Sequence, residues 1–343
     1  MRKSLSYKVL LSILGITSLY VFYNPVASAI TYESSRLNGE GAPTTITDNK
    51  IIIDKQPIEL KLPLFVYGNN LDNGDANNNQ VITNNSQISI VYGGRGINAN
   101  NNKVILNNGS YAGYVNGGYS DSEKGETNGN TVIINKSTVG NVYGGYSHYG
   151  SANNNIVIID NSVVYDYVPS DIIGGYAPQG KSATGNTVKI IGKSNIENAN
   201  IYGGRSTDGN IDVFTSNILT LDGWSGSVKG VYNFSDIYFN TINWDSGGTV
   251  LNITENTEKD ALANTKINIK SLNFAGGTEL TAGESMTIIS NNNSGNDLGI
   301  STDKVNALSN FTAGVTIAGT GTAEVASDGN SVKYTLTEVK HLD

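Results

Sequence analysis

The chain of 343 residues has no cysteine, two histidines, six prolines and only 15% charged residues. Without cysteine there are no thiolate metal sites, no cysteine nucleophile and no disulfides, so the fold must be stable without covalent staples. His148 stands alone in a polar loop with no second histidine or acidic cluster beside it, and reads as a surface residue. No metal and no cofactor is expected. Long apolar runs are also missing, except from Val9 to Tyr23, about 15 residues where a membrane-spanning helix needs about 20.

That run follows Met1-Arg2-Lys3 and Lys8, and closes on Asn24-Pro25 and Val26-Ala27-Ser28-Ala29. A basic start, a short apolar core and an A-x-A site predict a secretory signal peptide over residues 1–29, cut after Ala29. The whole chain holds 22 basic and 30 acidic residues, and the signal removes Arg2, Lys3 and Lys8, leaving 19 − 30 = −11. A chain of that charge, with scattered lysines, repels phosphate backbones, so nucleic acid is excluded as a partner.

What is abundant is glycine (40), tyrosine (19) and asparagine. This is too aliphatic and tyrosine-rich for disorder, and too rich in glycine and asparagine for helices. A block recurs as Val66-Tyr67-Gly68, Val91-Tyr92-Gly93-Gly94, Val115-Asn116-Gly117-Gly118, Val142-Tyr143-Gly144-Gly145, Ile172-Ile173-Gly174-Gly175, Ile201-Tyr202-Gly203-Gly204 and Val231-Tyr232-Asn233. Its spacings are 25, 24, 27, 30, 29 and 30 residues. Between copies sits a second block, as in Asn130-Thr131-Val132-Ile133-Ile134 and Asn155-Ile156-Val157-Ile158-Ile159.

Such a unit reads as three short strands, the third exemplified by Ser137-Thr138-Val139. One unit cannot bury its own apolar faces, whereas stacked units share a continuous core. The predicted fold is all-β, a right-handed parallel β-helix (β-solenoid) of about 24–30 residues per coil. The paired glycines are expected to turn a corner at backbone angles forbidden to side chains, and the asparagines to form ladders along the axis.

The expected organisation is the signal peptide, an N-terminal cap over 30–65 carrying three of the prolines, regular repeats over 66–246, and a degenerate solenoid with a C-terminal cap over 247–343. Within the last region Thr249–Ile253, Lys266–Ile269, Ser285–Ile289, Val315–Ile317 and Val332–Leu336 read as strands.

Val142-Tyr143-Gly144-Gly145-Tyr146-Ser147 followed by Asn155 to Ile159 resembles the passenger domains of bacterial autotransporters. Leu280-Thr281-Ala282-Gly283-Glu284-Ser285-Met286-Thr287-Ile288-Ile289-Ser290 looks like the segment that closes such passengers before their membrane barrel. The resemblance covers most of residues 60–340. It implies a β-helix displayed at, or released from, a Gram-negative cell surface, most often as an adhesin. No stretch of alternating strands about ten residues long follows, so a separate outer-membrane barrel, a truncated gene product or simple secretion is expected.

The candidates for catalysis are Asp160 and Asp222, which follow the second block two coils apart, an expected separation of roughly 9–10 Å. Inverting glycosidases need roughly 6.5–9.5 Å, but the position is a turn where Asn and Asp belong for backbone reasons. The chain is therefore read as a non-enzyme, with a polysaccharide-active lyase or hydrolase and a structural spacer as alternatives. Gly93-Gly94-Arg95-Gly96-Ile97-Asn98 is similar to a calcium-binding nonapeptide, but one copy supplies too few carboxylates. The strongest candidate is a register just past the glycines: Arg95, Tyr119, Tyr146, Tyr176 and Arg205, in five consecutive coils with loops of varying length. Buried unpaired arginines are costly, so this register is expected to face outward and bind a host or neighbouring-cell surface protein or glycan, leaving the Tyr92 register free to be buried.

Overall fold

Each repeat supplies two alternating β-branched runs, which place every second side chain on one face. The structure, a computed structural model, describes residues 65–343 apart from 166–169, Thr278, Ser294 and Asp343. The expected signal peptide, and all of the expected cap but Phe65, lie outside the described residues.

The chain is all-β, with about seven stacked turns of parallel strands forming a β-solenoid. One parallel sheet contains Phe65–Tyr67, Gln87–Arg95, Tyr111–Ser120, Thr138–Ser147, Ser170–Tyr176, Ala199–Arg205 and Gly230–Tyr232, in that order. A second carries the asparagine-led block, including Lys103–Asn107, Thr131–Asn135, Ile156–Asp160 and Thr187–Ile191. The pairing is in register, so Val81, Val104, Val132, Val157, Val188 and Leu219 form one buried row. Val66, Val91, Val115, Val142, Ile172 and Ile201 form another from the opposite sheet. The core is therefore a set of aliphatic columns along the axis.

Two expectations about the coil are corrected. The third short strand does not everywhere stand alone: Thr138-Val139 runs on into Val142-Tyr143-Gly144-Gly145 as the single strand Thr138–Ser147, whereas in the next coil Val163–Val164 is separate from Ser170–Tyr176. Nor do the paired glycines adopt left-handed angles. Those fall instead on Asn78, Asn101, Gly129, Asn154, Gly185 and Ser216, one residue ahead of each asparagine that leads the second block. A second left-handed set follows that block at Asn85, Asn108, Lys136, Asn161, Gly192 and Gly223. Asparagine tolerates this region better than other side chains, which accounts for its recurrence at both corners.

The reason for Gly-Gly is proximity. A Cβ on Gly144 would press into the Gly174 carbonyl oxygen and lie 2.8 Å from Asn155 Cβ, and one on Gly145 would meet the Thr127 carbonyl and lie 2.8 Å from Asn155 Nδ2. The same encounter repeats between Gly117 and Asn130, and between Gly93 and Asn102.

After residue 247 parallel strands continue as Thr249–Ile253 and Ser285–Asn291. The last of these then pairs antiparallel with Ser331–His341, which pairs with Ile317–Val325, which pairs with Asn310–Ala313. Three antiparallel strands thus occupy the edge that another coil would otherwise take. Val315 is not in a strand; it is 91% exposed in the turn before Ile317.

Gly144→Ala should lower stability by about 1–3 kcal/mol, the usual penalty of overpacking, whereas Gly209→Ala, with nothing within 4 Å of the added Cβ, should stay within about 0.5 kcal/mol. Urea midpoints of the two variants decide it, and an unchanged midpoint for Gly144→Ala would refute the steric account.

Candidate functional site

The strand pairing sets Arg95 beside Tyr119, Tyr119 beside Tyr146, Tyr146 beside Tyr176 and Tyr176 beside Arg205. All five side chains are half-buried, on the outer surface of the first sheet. In the neighbouring register Tyr92, Tyr143 and Tyr202 are also half-buried and not interior, whereas Tyr67 and Tyr232 at its ends, and Asn116 and Ile173 in its other places, are buried.

The two registers form one surface. Gly144 and Gly145 put no side chain between Tyr143 and Tyr146, and those rings meet edge to face at 6.0 Å and 89°. Tyr92 meets Tyr119 in the same way at 5.3 Å, while Tyr119 and Tyr146 stack at 4.9 Å. Tyr176 then turns edge-on to Tyr146 at 5.1 Å. Both geometries suit the ring quadrupole and add about 0.5–1.5 kcal/mol per pair beyond burial. His148 and Tyr149 prolong the surface at its edge, His148 lying 6.4 Å from the Tyr146 ring and 4.3 Å from that of Tyr149.

The arginines terminate the row, and each is paired. Arg205 Nη1 lies 2.6 Å from Asp171 Oδ2, and its guanidinium covers the rings of Tyr202 at 4.7 Å and Tyr176 at 5.5 Å. The Asp171 side chain is 3% exposed, held also by Asn200 Nδ2 at 3.3 Å. Arg95 faces Asp72 at 3.4 Å and Asp121 at 3.7 Å, donates to Asn70 Oδ1 and lies 5.8 Å from the Tyr119 ring centroid. Around it Leu71, Asn73, Gly96, Ile97 and Ser122 complete a cleft of about 290 Å³. Tyr119 donates its hydroxyl proton to Asp121 Oδ1 at 2.7 Å.

These surroundings hold the phenols of Tyr119, Tyr143, Tyr146 and Tyr202 in the neutral form. Burial, then the hydrogen bond to Asp121, pushes Tyr119 well above the ordinary tyrosine range. Burial, then the charge of Asp171, does the same for Tyr143. Tyr146 is raised by burial and then by Tyr176; for Tyr202 burial outweighs the opposing pull of Arg205.

Sequence reasoning found the row but missed Asp72, Asp121 and Asp171. No spacing rule points to them, because their pairing to the arginines depends on side-chain reach across coils. Asp160 and Asp222 occupy one register with Ile191 between them, and Asp222 pairs with Lys189 Nζ at 3.0 Å. Among the described residues no group of three His, Asp or Glu side chains could hold a metal ion, and no helix is long and apolar enough to cross a membrane. Compared with family models, curated proteins and solved structures, the chain matches none.

The raised tyrosines make stability pH-dependent with a defined sign. A folded-state pKa above the unfolded value of 10.0 means full stabilisation below pH 10, lost as pH climbs through the folded value. Phenolate absorbance should therefore show part of the tyrosines ionising late, together with loss of the β-sheet circular dichroism signal. All tyrosines titrating near pH 10 with the fold intact would contradict the packing described.

Proposed function

We propose that this chain is an exported β-solenoid of the autotransporter-passenger type that acts as an adhesin or extracellular interaction module. It works at the cell surface or outside a Gram-negative cell, anchored by a separate outer-membrane barrel or released. Its role is binding, without catalysis and without a cofactor. The row Arg95, Tyr119, Tyr146, Tyr176 and Arg205 makes the main contact with a protein or glycan of a host or neighbouring cell.

One observation carries this reading: five consecutive coils hold an aromatic or arginine side chain half-exposed at one register, joined to a second aromatic register across the glycines. Aromatic and arginine side chains supply most hot spots of recognition surfaces, because they bury large areas at low entropic cost. The signal-like segment of residues 1–29 supports export.

Changing Tyr119, Tyr146 and Tyr176 together to Ser should abolish adherence to cells. The stacked rings also contribute to stability, so the melting temperature of this variant should fall while its β-sheet signal at 25 °C remains. The single change Tyr146→Ser, milder for the fold, should weaken adherence measurably. Full adherence by both folded variants would remove the row from the binding surface.

A further inference from the structure

The charges around the row narrow what it would bind, on the reading that this face is the binding surface. Both of its cations are already committed: Arg205 to the buried Asp171, Arg95 to Asp72 and Asp121. Two guanidinium groups against Asp72, Asp121 and Asp171, with Glu258 also acting on Arg205 and Tyr202, leave the face net negative, on a chain that is itself acidic. An anionic ligand, such as a sulfated or sialylated glycan, would have to displace those carboxylates from the arginines or lie beside them unpaired. The face offers ring edges and neutral hydroxyls, since stacking turns the ring faces of Tyr119 and Tyr146 toward each other.

Spacing separates a glycan from a peptide. Along the row successive rings are 4.9 and 5.1 Å apart, the repeat of the coils themselves. An extended peptide lying along the axis advances about 3.3 Å per residue and returns a side chain to one face about every 6.6–6.8 Å, so it falls out of step within two rungs. A pyranose linked equatorially through opposite carbons advances by about one rung per sugar, and presents hydroxyls at its edges to the phenols. We infer that the row binds an uncharged, extended glycan of equatorially linked pyranoses, running along the solenoid axis with one sugar per coil. The contacts repeat, so affinity grows with the number of sugars engaged.

The test uses the full chain with cellobiose, cellohexaose, chitohexaose and a heparin hexasaccharide, in calorimetry or a glycan array. A neutral hexasaccharide should bind at least about tenfold more tightly than the disaccharide, and Tyr146→Ser, confirmed folded by circular dichroism, should weaken it. That affinity should change less than about twofold between about 0.05 and 0.5 M salt, because no ion pair forms. Preferential binding of heparin with a steep loss in salt would overturn the inference, as would equal affinity for short and long neutral chains. If none of the oligosaccharides binds while adherence to cells still depends on the three tyrosines, the inference falls and the binding face stands. If adherence survives the triple change, the face itself is wrong.

Discussion

The interaction on which the rest of the structure depends is a ladder of buried asparagines seated against paired glycines. Asn79, Asn102, Asn130, Asn155, Asn186 and Asn217 are each at most 4% exposed. In each rung the backbone N–H and the side-chain Nδ2 of one asparagine both donate to Oδ1 of the next, at 2.8–3.2 Å. A buried amide without partners is destabilising by about 1–3 kcal/mol per group, so such a row is favourable only when complete. Gly-Gly is its counterpart, because the asparagine side chains occupy the volume where a Cβ on the first sheet would stand. The two recurrent sequence blocks are thus two halves of one packing solution.

A second polar row runs outside the first with the opposite polarity. The N–H groups of Asn100, Asn128, Asn153 and Thr184 donate to Oδ1 of Asn77, Asn100, Asn128 and Asn153 respectively, in each case one coil earlier. Between the rows lies the left-handed residue, Asn101 or Gly129 for example, that turns the chain from loop into strand. Every coil is locked to its neighbours by side-chain as well as backbone bonds, which fixes register along the axis. The aromatic face follows from this: in-register stacking aligns the tyrosines, and the bare glycines let two registers close on each other.

Much of this was legible in the sequence because a solenoid writes its period directly into the chain. The repeat of Val-Tyr-Gly-Gly, the aliphatic columns, the asparagine ladder and the alignment of Arg95, Tyr119, Tyr146, Tyr176 and Arg205 all follow from position within a coil. Conformational detail did not follow. Gly-Gly signals either a left-handed corner or a close approach, and only the location of Asn155 beside Gly144 separates the two. The fusion of Thr138-Val139 with the next block was hidden because Gly140 looks like a break, whereas Val139 and Val142 both reach the core across it. The ion pair of Arg205 with Asp171 joins residues 34 apart in sequence, and Val315 was misread because a short apolar run looks alike in a strand and in a turn.

If the ladder governs the stack, its weakest tolerance is for a missing acceptor in the middle. Asn130→Ala would leave the N–H and Nδ2 of Asn102 buried without partners and remove the side-chain donor to Asn155 Oδ1, keeping only the backbone N–H there. The account predicts that equilibrium urea unfolding of this variant shows a loss of about 2–5 kcal/mol. A midpoint matching that of the unaltered chain would contradict it.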